Sequence, residues 1–289
     1  MVLAGPNGTG KSSLFDGFEH WRRVTSSNNW QEFYHLKVGL IQPAWDQIVQ
    51  VDFHDATPPI REDRRSLFYI RSAYRNEPDF SIEALRRVGP IVDAPGASRM
   101  IDNDARVADD YQRLVSATVE SIYSGERDDS TVRELRESFI GAVRDALQRL
   151  LPDLVLQGPG DPLAQGSFFF NKGTSEGFHY RNLSGGEKAA FDLILDLIVK
   201  KRSYEGAIFC IDEPEAHMNT ALQGSLLREL VALLPVQSQL WIASHSVGMM
   251  NEARQMKEQD PESVAFIDFN GQDFDQPVVL RPVDVTRDF

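Results

Sequence analysis

The hydrophobic positions in the first 80 residues predict one helix and three short strands. Residues 1–4 are apolar and indicate the end of a buried strand. Residues 50–54 and 66–73 alternate between apolar and polar side chains, as half-buried strands do, and a charged, proline-containing connection separates them. A helix is predicted over residues 11–22 by three apolar side chains at i, i+4 and i+7, which are Leu14, Phe18 and Trp21.

The middle of the chain has the spacing of two modest helices. After a stretch of turn signals at residues 79–104, apolar side chains at helical spacing continue over residues 105–122. A charged turn at residues 125–130 precedes a second helical pattern over residues 132–150, which Pro152 ends. Neither helix approaches the length of a coiled-coil arm, and no heptad repeat is sustained.

The last part of the chain alternates helices with strands. After a short hairpin at residues 166–181, the pattern predicts helices over residues 184–201, 219–234 and 247–257. It predicts strands over residues 207–211, 239–243, 263–269 and 278–283. An alternating order of this kind implies a mainly parallel sheet flanked by helices. The sequence therefore predicts an α/β fold, with a small antiparallel β portion and a helical lobe added to the core sheet.

Composition narrows the class of protein without identifying it. Of the 289 residues, 42% are hydrophobic and 25% charged, which is typical of a globular chain with one large domain or two lobes. The only cysteine is Cys210, so we expect no disulfide framework and a reducing cytoplasm. No apolar stretch reaches transmembrane length, so we expect no membrane contact, and no secretory leader is expected. A net charge of −13 argues against non-specific nucleic-acid binding by the whole surface, although it leaves room for a local basic patch.

The first chemical motif is Gly5-Pro6-Asn7-Gly8-Thr9-Gly10-Lys11-Ser12, which matches the phosphate-binding P-loop pattern at every position. Its glycines let the backbone turn tightly, so that successive N–H groups and the following helix direct positive charge at a phosphate. Lys11 supplies a charge for the β- and γ-phosphates, and the Ser12 hydroxyl can bind Mg²⁺. While no nucleotide is bound, we expect the Lys11 side chain to face solvent.

The second motif is an apolar strand that ends in two carboxylates, Ile208-Phe209-Cys210-Ile211-Asp212-Glu213. Because strand ends in α/β sheets face the ligand crevice, Asp212 is expected to project toward the Mg²⁺ beside Ser12. Glu213 is placed to orient or deprotonate a water molecule. For this motif alone, a buried strand followed by a charged turn would be the better interpretation. Because the chain also has a P-loop, the catalytic interpretation is the stronger one.

Two further motifs lie on either side of this strand. Leu183-Ser184-Gly185-Gly186-Glu187-Lys188 contains a capping box, with Ser184 as N-cap and Glu187 three residues later. Glycines are poor helix formers, and two in the first turn make sense if bare backbone N–H groups must meet a phosphate. Ser244-His245-Ser246 follows the strand predicted at residues 239–243. In this order of motifs, His245 can reach a γ-phosphate.

In this order the four motifs resemble those of the ABC-type ATPase superfamily of P-loop NTPases. The runs Asp212-Glu213-Pro214-Glu215-Ala216-His217 and Leu183 to Lys188 are similar to those of its soluble branch. That branch includes the structural-maintenance-of-chromosomes (SMC) proteins, RecF, RecN, the OLD nucleases and stand-alone AAA-family ATPases of prokaryotic defence systems. The resemblance covers residues 2–16 and 178–248.

The resemblance implies a single ABC-type ATPase domain over residues 1–289, which we divide into three approximate lobes. Residues 1–80 would hold the P-loop and the antiparallel β portion. Residues 81–182 would form the helical lobe and the hairpin. Residues 183–289 would contain the signature helix, the Walker B strand and the C-terminal α/β part.

The resemblance also implies roles for the motif residues. The P-loop would hold ATP through Asn7, Gly8, Thr9, Gly10, Lys11, Ser12 and Ser13. Asp212 and Ser12 would bind Mg²⁺. Glu213 would be the catalytic base, and His245 would sense the γ-phosphate. The residues that would act in trans on the nucleotide of a second subunit, in a homodimer closed around two ATP molecules, are Ser184, Gly185, Gly186 and Glu187.

The sequence departs from this family in three respects. The glutamine that usually links Mg²⁺ to the helical lobe has several candidates and no assignment: Gln42, Gln47, Gln112 and the run at residues 102–104. The coiled-coil arms of SMC proteins and a nuclease domain of the OLD kind are not found in the pattern. Antiparallel strands precede the P-loop in the family, so either the strands at residues 50–53 and 66–73 replace them or the start lies upstream. We therefore expect a sheet edge near residues 1–4, exposed or covered by further chain.

The sequence leaves three functions open. The first is an ATP hydrolase whose ATP-driven dimerisation controls a partner protein, such as an effector or nuclease, or a nucleic acid. The second is an ATP-sensing scaffold with very slow turnover that restrains a toxin or nuclease. The third is a RecF-like DNA-repair clamp, suggested by a basic and aromatic group made of Arg61, Arg64, Arg65, Arg71, Arg75, Phe68, Tyr69 and Tyr74. Asp212 and Glu213 favour the enzyme, and the acidic net charge argues against the clamp.

Overall fold

The computed structural model describes residues 1–26, 49–53, 63–75, 77–80, 84, 88–93, 100, 107–124, 130–161, 166–272 and 278–284. The helices, numbered in chain order, are α1 (Lys11–Ser26), α2 (Ala108–Tyr123), α3 (Val132–Leu150), α4 (Gly185–Lys200), α5 (Thr220–Leu233) and α6 (Val247–Gln259). The strands are β1 (Val2–Ala4), β2 (Phe68–Arg71), β3 (Leu154–Pro159), β4 (Phe168–Lys172), β5 (Ser175–His179), β6 (Ile208–Asp212), β7 (Gln239–Ser244), β8 (Phe266–Asp268) and β9 (Pro282–Val283). Among the helices of these ranges, none combines the length and the apolar character needed to cross a membrane.

A six-stranded sheet carries the P-loop strand β1 in its interior. The strand order is β2-β6-β7-β1-β8-β9, and only β9 runs antiparallel to its neighbour. In register, Ala4 of β1 lies beside Ser244 of β7, and Asp212 of β6 lies beside Ala243 of β7. The carboxyl ends of β1, β6 and β7 therefore meet at one edge of the sheet, where ligands bind in folds of this class.

Apolar side chains cover this sheet on both faces. On β1, Val2 and Ala4 belong to one buried cluster and Leu3 belongs to the other, as expected from the alternation of side chains along a strand. The first cluster takes in the inward faces of α3 to α6, and the second lies under α1, where Phe15 and Trp21 are buried. Burial on both faces explains why β6 is an unbroken apolar run up to its carboxyl end.

The strands β3, β4 and β5 form a separate antiparallel sheet in that order. Phe168 of this sheet packs against the rings of Phe80, Tyr111 and Phe191, with ring centroids 5.0, 5.4 and 4.9 Å away. Tyr111 lies on α2 and Phe191 on α4. These ring contacts therefore join residue 80 and two helices to the small sheet.

The predicted α/β fold is confirmed. The parallel sheet, its flanking helices and the hairpin at residues 166–181 are present, α4, α5 and α6 begin at Gly185, Thr220 and Val247, close to the predicted starts, and Ser184 is the N-cap of α4 as predicted. Strand β3 was not predicted from the sequence. Its burial alternates over only a few residues before Gly158 and Pro159, and that run is too short to stand out.

Three local predictions are wrong. Residues 51–53 form no strand, and Phe53 instead packs near Trp21 of α1, with ring centroids 6.0 Å apart, while residue 54 lies outside the described ranges. Strand β2, predicted over residues 66–73 as a replacement for antiparallel strands, pairs in parallel with β6. Strand β1 is not a sheet edge, because it pairs with both β7 and β8. The alternation at residues 51–53 therefore reflects packing against a helix.

Candidate nucleotide-binding site

The loop between β1 and α1 has a backbone that glycine adopts far more readily than other residues. Gly5, Gly8 and Gly10 have φ angles of 150°, 80° and 89°. A Cβ atom at Gly5 would lie 3.0 Å from a neighbouring side-chain carbon, whereas Gly8 and Gly10 border open space. The Thr9 hydroxyl donates a hydrogen bond of 2.8 Å to the carbonyl of Pro6. The glycine spacing of the motif thus matches the turns that the loop makes.

Lys11 does not face solvent, contrary to the prediction. Its side chain is buried, with only 6% of the residue exposed, and Nζ donates hydrogen bonds of 2.8 Å to the carbonyls of Gly5 and Pro6. Burial lowers the pKa of Lys11, while the nearby carboxylates of Asp212 and Glu213 oppose that shift. These bonds use two of the three N–H donors of the Lys11 ammonium, so a phosphate at Nζ can bind the third or compete with a loop carbonyl.

The other predicted P-loop contacts differ in how far they are exposed. Asn7, Gly8 and Ser13 are exposed, while Thr9, Gly10 and Ser12 are half-buried. These positions form a continuous run around the start of α1. An anion at this helix start would meet several backbone N–H groups together.

Asp212 and Ser12 fit the requirements of a Mg²⁺ site. Asp212 is buried, its Oδ1 atom has no hydrogen-bond partner among the described residues, and the Ser12 hydroxyl hydrogen-bonds to its carboxylate. Burial raises the pKa of Asp212 to about 6, Glu213 adds to the shift, and Ser12 and Lys11 oppose it. The described residues contain no cluster of three or more His, Cys, Asp or Glu side chains that could hold a metal alone. That donor set suits Mg²⁺, which commonly uses one or two protein oxygens together with substrate phosphates.

The structure brings Glu213 and His245 together. The Nδ1 atom of His245 lies 3.4 Å from Oε1 of Glu213, and both side chains are partly exposed. Glu213 has a positive φ of 43°, which is uncommon for a residue with a side chain, and its N–H donates to the carbonyl of Ala243 at 2.9 Å. The side chain of Glu213 thus leaves the end of β6 toward the residue that follows β7.

A buried contact that the sequence did not suggest supports this arrangement. The Ser244 hydroxyl donates a hydrogen bond of 2.5 Å to the carboxylate of Glu215, which is itself buried. Ser246 caps α6 by accepting a hydrogen bond from the N–H of Met249. The two serines beside His245 are therefore held in place. The only sign of these contacts in the sequence was that the two serines flank a histidine at a strand end.

The capping box at the start of α4 is confirmed. Ser184 accepts a hydrogen bond from the N–H of Glu187, and the Glu187 carboxylate accepts one from the N–H of Ser184 at 2.8 Å. Glu187 also forms an ion pair of 2.8 Å with Lys172 of β4. Because both contacts occupy its carboxylate, Glu187 shapes the helix start and ties it to the hairpin. Ser184 and Gly185 are exposed.

Packing explains why residue 186 is a glycine, and the sequence did not reveal this reason. A Cβ atom at Gly186 would lie 2.9 Å from the carbonyl oxygen of His217, whereas one at Gly185 would meet only the His217 Cβ at 3.8 Å. His217 has a positive φ of 68° and belongs to the turn after Glu213. The signature motif thus packs against the turn that follows the carboxylate pair in the same chain.

These distances predict that Gly186→Ala and Gly185→Ala differ in stability. Gly186→Ala should destabilise the fold by roughly 1–3 kcal/mol, because its methyl group meets backbone that cannot move without cost. Gly185→Ala should leave stability unchanged or raise it by up to about 1 kcal/mol, since alanine favours a helix. Thermal unfolding of both variants beside the wild type measures the difference. Equal melting temperatures for the two variants would contradict the packing described above.

The basic and aromatic group proposed for a DNA clamp is divided between the core and the surface. Arg71 is fully buried and pairs with Asp196 at 2.9 Å, and Arg64 lies over the ring of Trp21 at 5.4 Å. Phe68 and Tyr69 are buried in the core. Arg61 lies outside the described residues. Arg71, Phe68 and Tyr69 therefore belong to the core, whereas Arg64, Arg65 and Arg75 are half-buried and Tyr74 is exposed.

Of the glutamine candidates, only Gln112 lies in the described part of the chain. It is buried on α2, a helix that packs against α4. Gln42, Gln47 and residues 102–104 lie outside the described ranges. The assignment of a glutamine to the metal therefore stays open.

A phosphate-binding loop, a carboxylate pair at the end of one parallel strand and a histidine at the end of another define the class of P-loop ATPases. The chain belongs to the family described as "AAA domain, putative AbiEii toxin, Type IV TA system", whose pattern matches residues 1–251. This match confirms the resemblance that the motifs indicated. A search of curated proteins finds no significant match to the sequence.

Solved structures that resemble this chain include heads of SMC proteins. An Smc head bound to the C-terminal winged-helix domain of ScpA is 19% identical, with a TM-score of 0.31, over 47% of this chain and 41% of that one. An Smc head with an extended coiled coil from Pyrococcus furiosus is 19% identical, with a TM-score of 0.32, over 56% of this chain and 40% of that one. A structure from work on ATP-driven dimerisation of SMC ATPases is 16% identical, with a TM-score of 0.36, over 51% of this chain and 85% of that one. The chain thus spans about 40% of the first two, and the family match carries the assignment.

Proposed function

We propose that this chain is an ATP-hydrolysing head that dimerises around two ATP molecules and thereby controls a partner protein. The proposal is carried by the way residues from both ends of the sequence converge at one edge of the parallel sheet. Lys11 lies in the field of Asp212 and Glu213, and Glu213 contacts His245 at 3.4 Å. These groups are the ones that phosphoryl transfer to water requires, since that reaction depends on positioning and charge stabilisation.

In this proposal each group has one task. The P-loop N–H groups and Lys11 bind the phosphates of ATP, and the Lys11 ammonium has a third N–H donor besides the two that contact the carbonyls of Gly5 and Pro6. Bound Mg²⁺ would neutralise charge on the β- and γ-phosphates, and Ser12 and Asp212 are the residues that would hold it. Glu213 orients the attacking water and accepts its proton.

The signature motif supports a shared site in a homodimer. Ser184 and Gly185 are exposed at the start of α4, where a helix can direct its positive end at an anion. Gly185 and Gly186 approach His217, which lies in the turn after Glu213. The γ-phosphate of one chain's ATP, when bound by the signature motif of the other chain, would therefore contact a helix start that packs against the turn after Glu213 in that other chain. Two chains in opposite orientation would then complete two sites.

We propose an effector as the partner of this head, such as a toxin or nuclease subunit of a prokaryotic defence system. The description of the matching family, which labels the AAA domain itself a putative toxin of a type IV toxin–antitoxin system, supports the defence setting and not the kind of partner. The net charge of −13 and the burial of Arg71 favour a protein partner over nucleic acid. A cytoplasmic location stays a prediction from the single cysteine, Cys210, which is buried with a free thiol.

The proposal predicts that Mg²⁺ and ATP convert the protein from one chain to two and that phosphate is released. Light scattering with and without MgATP measures the assembly, and phosphate release measures turnover. ATP binding and dimerisation with negligible turnover would favour the ATP-sensing scaffold. If the wild-type protein binds no ATP, the proposal is contradicted.

A further inference from the structure

The chain that follows β2 runs from the catalytic edge of the sheet to the signature helix α4. Strand β2 neighbours β6 in parallel, so residues 72–75 leave the sheet beside the carboxylate pair. Residues 77–80 then contact α4 and the aromatic cluster of the small sheet. We call residues 72–75 and 77–80 the β2 extension. It touches two parts of the candidate site that are distant in sequence.

At the first end of the β2 extension, Arg75 binds the backbone of the carboxylate pair. Its Nη1 atom donates to the carbonyls of Asp212 and Ser72, each at 3.2 Å, and its Nη2 atom donates to the carbonyl of Glu213 at 2.8 Å. A guanidinium presents its donors in a rigid planar fork, so these contacts fix the two successive peptide groups relative to each other. Arg75 is half-buried, so these bonds are partly shielded from solvent.

The peptide of Glu213 needs such support. Its φ of 43° is uncommon for a residue with a side chain and persists only where the surroundings hold it. The N–H of Glu213 donates to the carbonyl of Ala243, and the Glu213 carbonyl accepts from the N–H of Ala216 at 3.0 Å and from Arg75 at 2.8 Å. Removing Arg75 leaves the Glu213 carbonyl with the Ala216 contact alone and takes away the guanidinium that joins it to the carbonyl of Asp212, so the Glu213 carboxylate would sample positions away from His245.

At its other end, the β2 extension is tied to α4. The Glu77 carboxylate accepts a hydrogen bond of 2.7 Å from Nζ of Lys188, in the first turn of that helix. Phe80 is buried, with its ring 4.9 Å from that of Tyr180 and 6.4 Å from that of Phe191. A shift of the start of α4 would therefore displace the β2 extension through these contacts.

We propose that Arg75 is a positioning residue for Glu213 and that the Glu77–Lys188 pair ties this arginine to the signature helix. The inference rests on the proposed role of Glu213 as the general base. It deepens that role by naming the group that holds the base's peptide in its strained conformation. It also gives the exposed signature motif a physical connection to the catalytic edge within one chain.

The main test compares Arg75→Gln with the wild type in the full chain. With MgATP, kcat should fall roughly 10- to 100-fold while the ATP dissociation constant stays within about twofold, because a small misplacement of the base affects chemistry and not binding. In the nucleotide-free protein, amide hydrogen exchange over residues 209–218 should become faster. Arg75→Lys should recover only part of kcat, since an ammonium lacks the planar fork. Arg202→Gln, which removes an exposed arginine ahead of the amino end of β6 and outside the β2 extension, is the matched control and should behave as wild type.

A charge exchange tests the second half of the proposal. Glu77→Lys should lower kcat, and combining it with Lys188→Glu should restore most of the loss by re-forming the pair in reverse. No recovery in the double variant, with both proteins folded, would overturn the link to α4.

Two outcomes would overturn the role of Arg75. One is wild-type kcat together with wild-type exchange in Arg75→Gln. The other is an equal loss of kcat and of ATP affinity with a lowered melting temperature, which indicates a general structural role. Faster exchange over residues 209–218 in Arg75→Gln, in a protein whose wild type shows no turnover, would support the backbone contact and contradict the proposed hydrolysis. The two failures are therefore distinguishable.

Discussion

Glu213→Gln is expected to lower ATP turnover by roughly 10²-fold or more while ATP binding is retained. Glutamine keeps the shape of the side chain and cannot accept a proton from water. The groups expected to bind phosphate and metal, Lys11, Ser12 and Asp212, are unchanged. Single-turnover phosphate release gives the chemical step, and titration with a fluorescent nucleotide gives the affinity.

A dimer with ATP trapped inside should accumulate in Glu213→Gln, because hydrolysis is what would reopen it. Light scattering after addition of MgATP would detect a long-lived pair of chains. Glu258→Gln is the matched control, since Glu258 is an exposed glutamate on α6. Normal turnover in Glu213→Gln would show that Glu213 is not the base.

The second large effect is expected when two inactive variants are mixed. Lys11→Ala should lose most ATP binding, because Nζ is the cation of the P-loop. Ser184→Arg puts a bulky cation where a neighbouring γ-phosphate would lie, and should block dimerisation while the monomer still binds ATP. A heterodimer of the two variants has one composite site with an intact P-loop and an intact signature motif. Mixing should therefore restore part of the activity that each variant lacks.

Phosphate release measured over a range of mixing ratios tests this complementation. Lys11 is buried and binds two loop carbonyls, so the melting temperature of Lys11→Ala must be checked. Ser184→Ala is the control for the lost cap, which is worth about 1 kcal/mol for a residue of this kind. Absence of rescue at every ratio, with both variants folded, would count against the shared site.

Much of the fold was readable from local patterns. Helices α4, α5 and α6 start at Ser184, Asn219 and Ser246, whose side chains accept hydrogen bonds from N–H groups two or three residues later. Strand β6 was readable because its burial on both faces leaves an unbroken apolar run. The P-loop was readable because glycine is needed where φ is positive.

Short or weakly patterned segments were read less well. Residues 49–53 alternate in polarity, yet Val51 and Phe53 pack against the second buried cluster without joining a ladder. Alternation of a few residues does not distinguish a strand from a loop whose apolar side chains face a helix. The order of strands in the sheet was also beyond the sequence pattern. Only the structure shows that β1 pairs with both β7 and β8, which places the P-loop strand in the interior of the sheet.

The amino-acid sequence thus established the motifs, their order and the class of ATPase, because each motif is a local spacing with a local physical purpose. The partners of the charged side chains came only from the folded chain. Arg75 contacts the carbonyls of Asp212 and Glu213, which lie 137 and 138 positions away, and Arg71 is buried against Asp196. In the sequence these arginines are part of a basic and aromatic run that suggests a surface. Whether such a side chain meets solvent, an acid or a strained peptide depends on which strands become neighbours, and no local spacing records that.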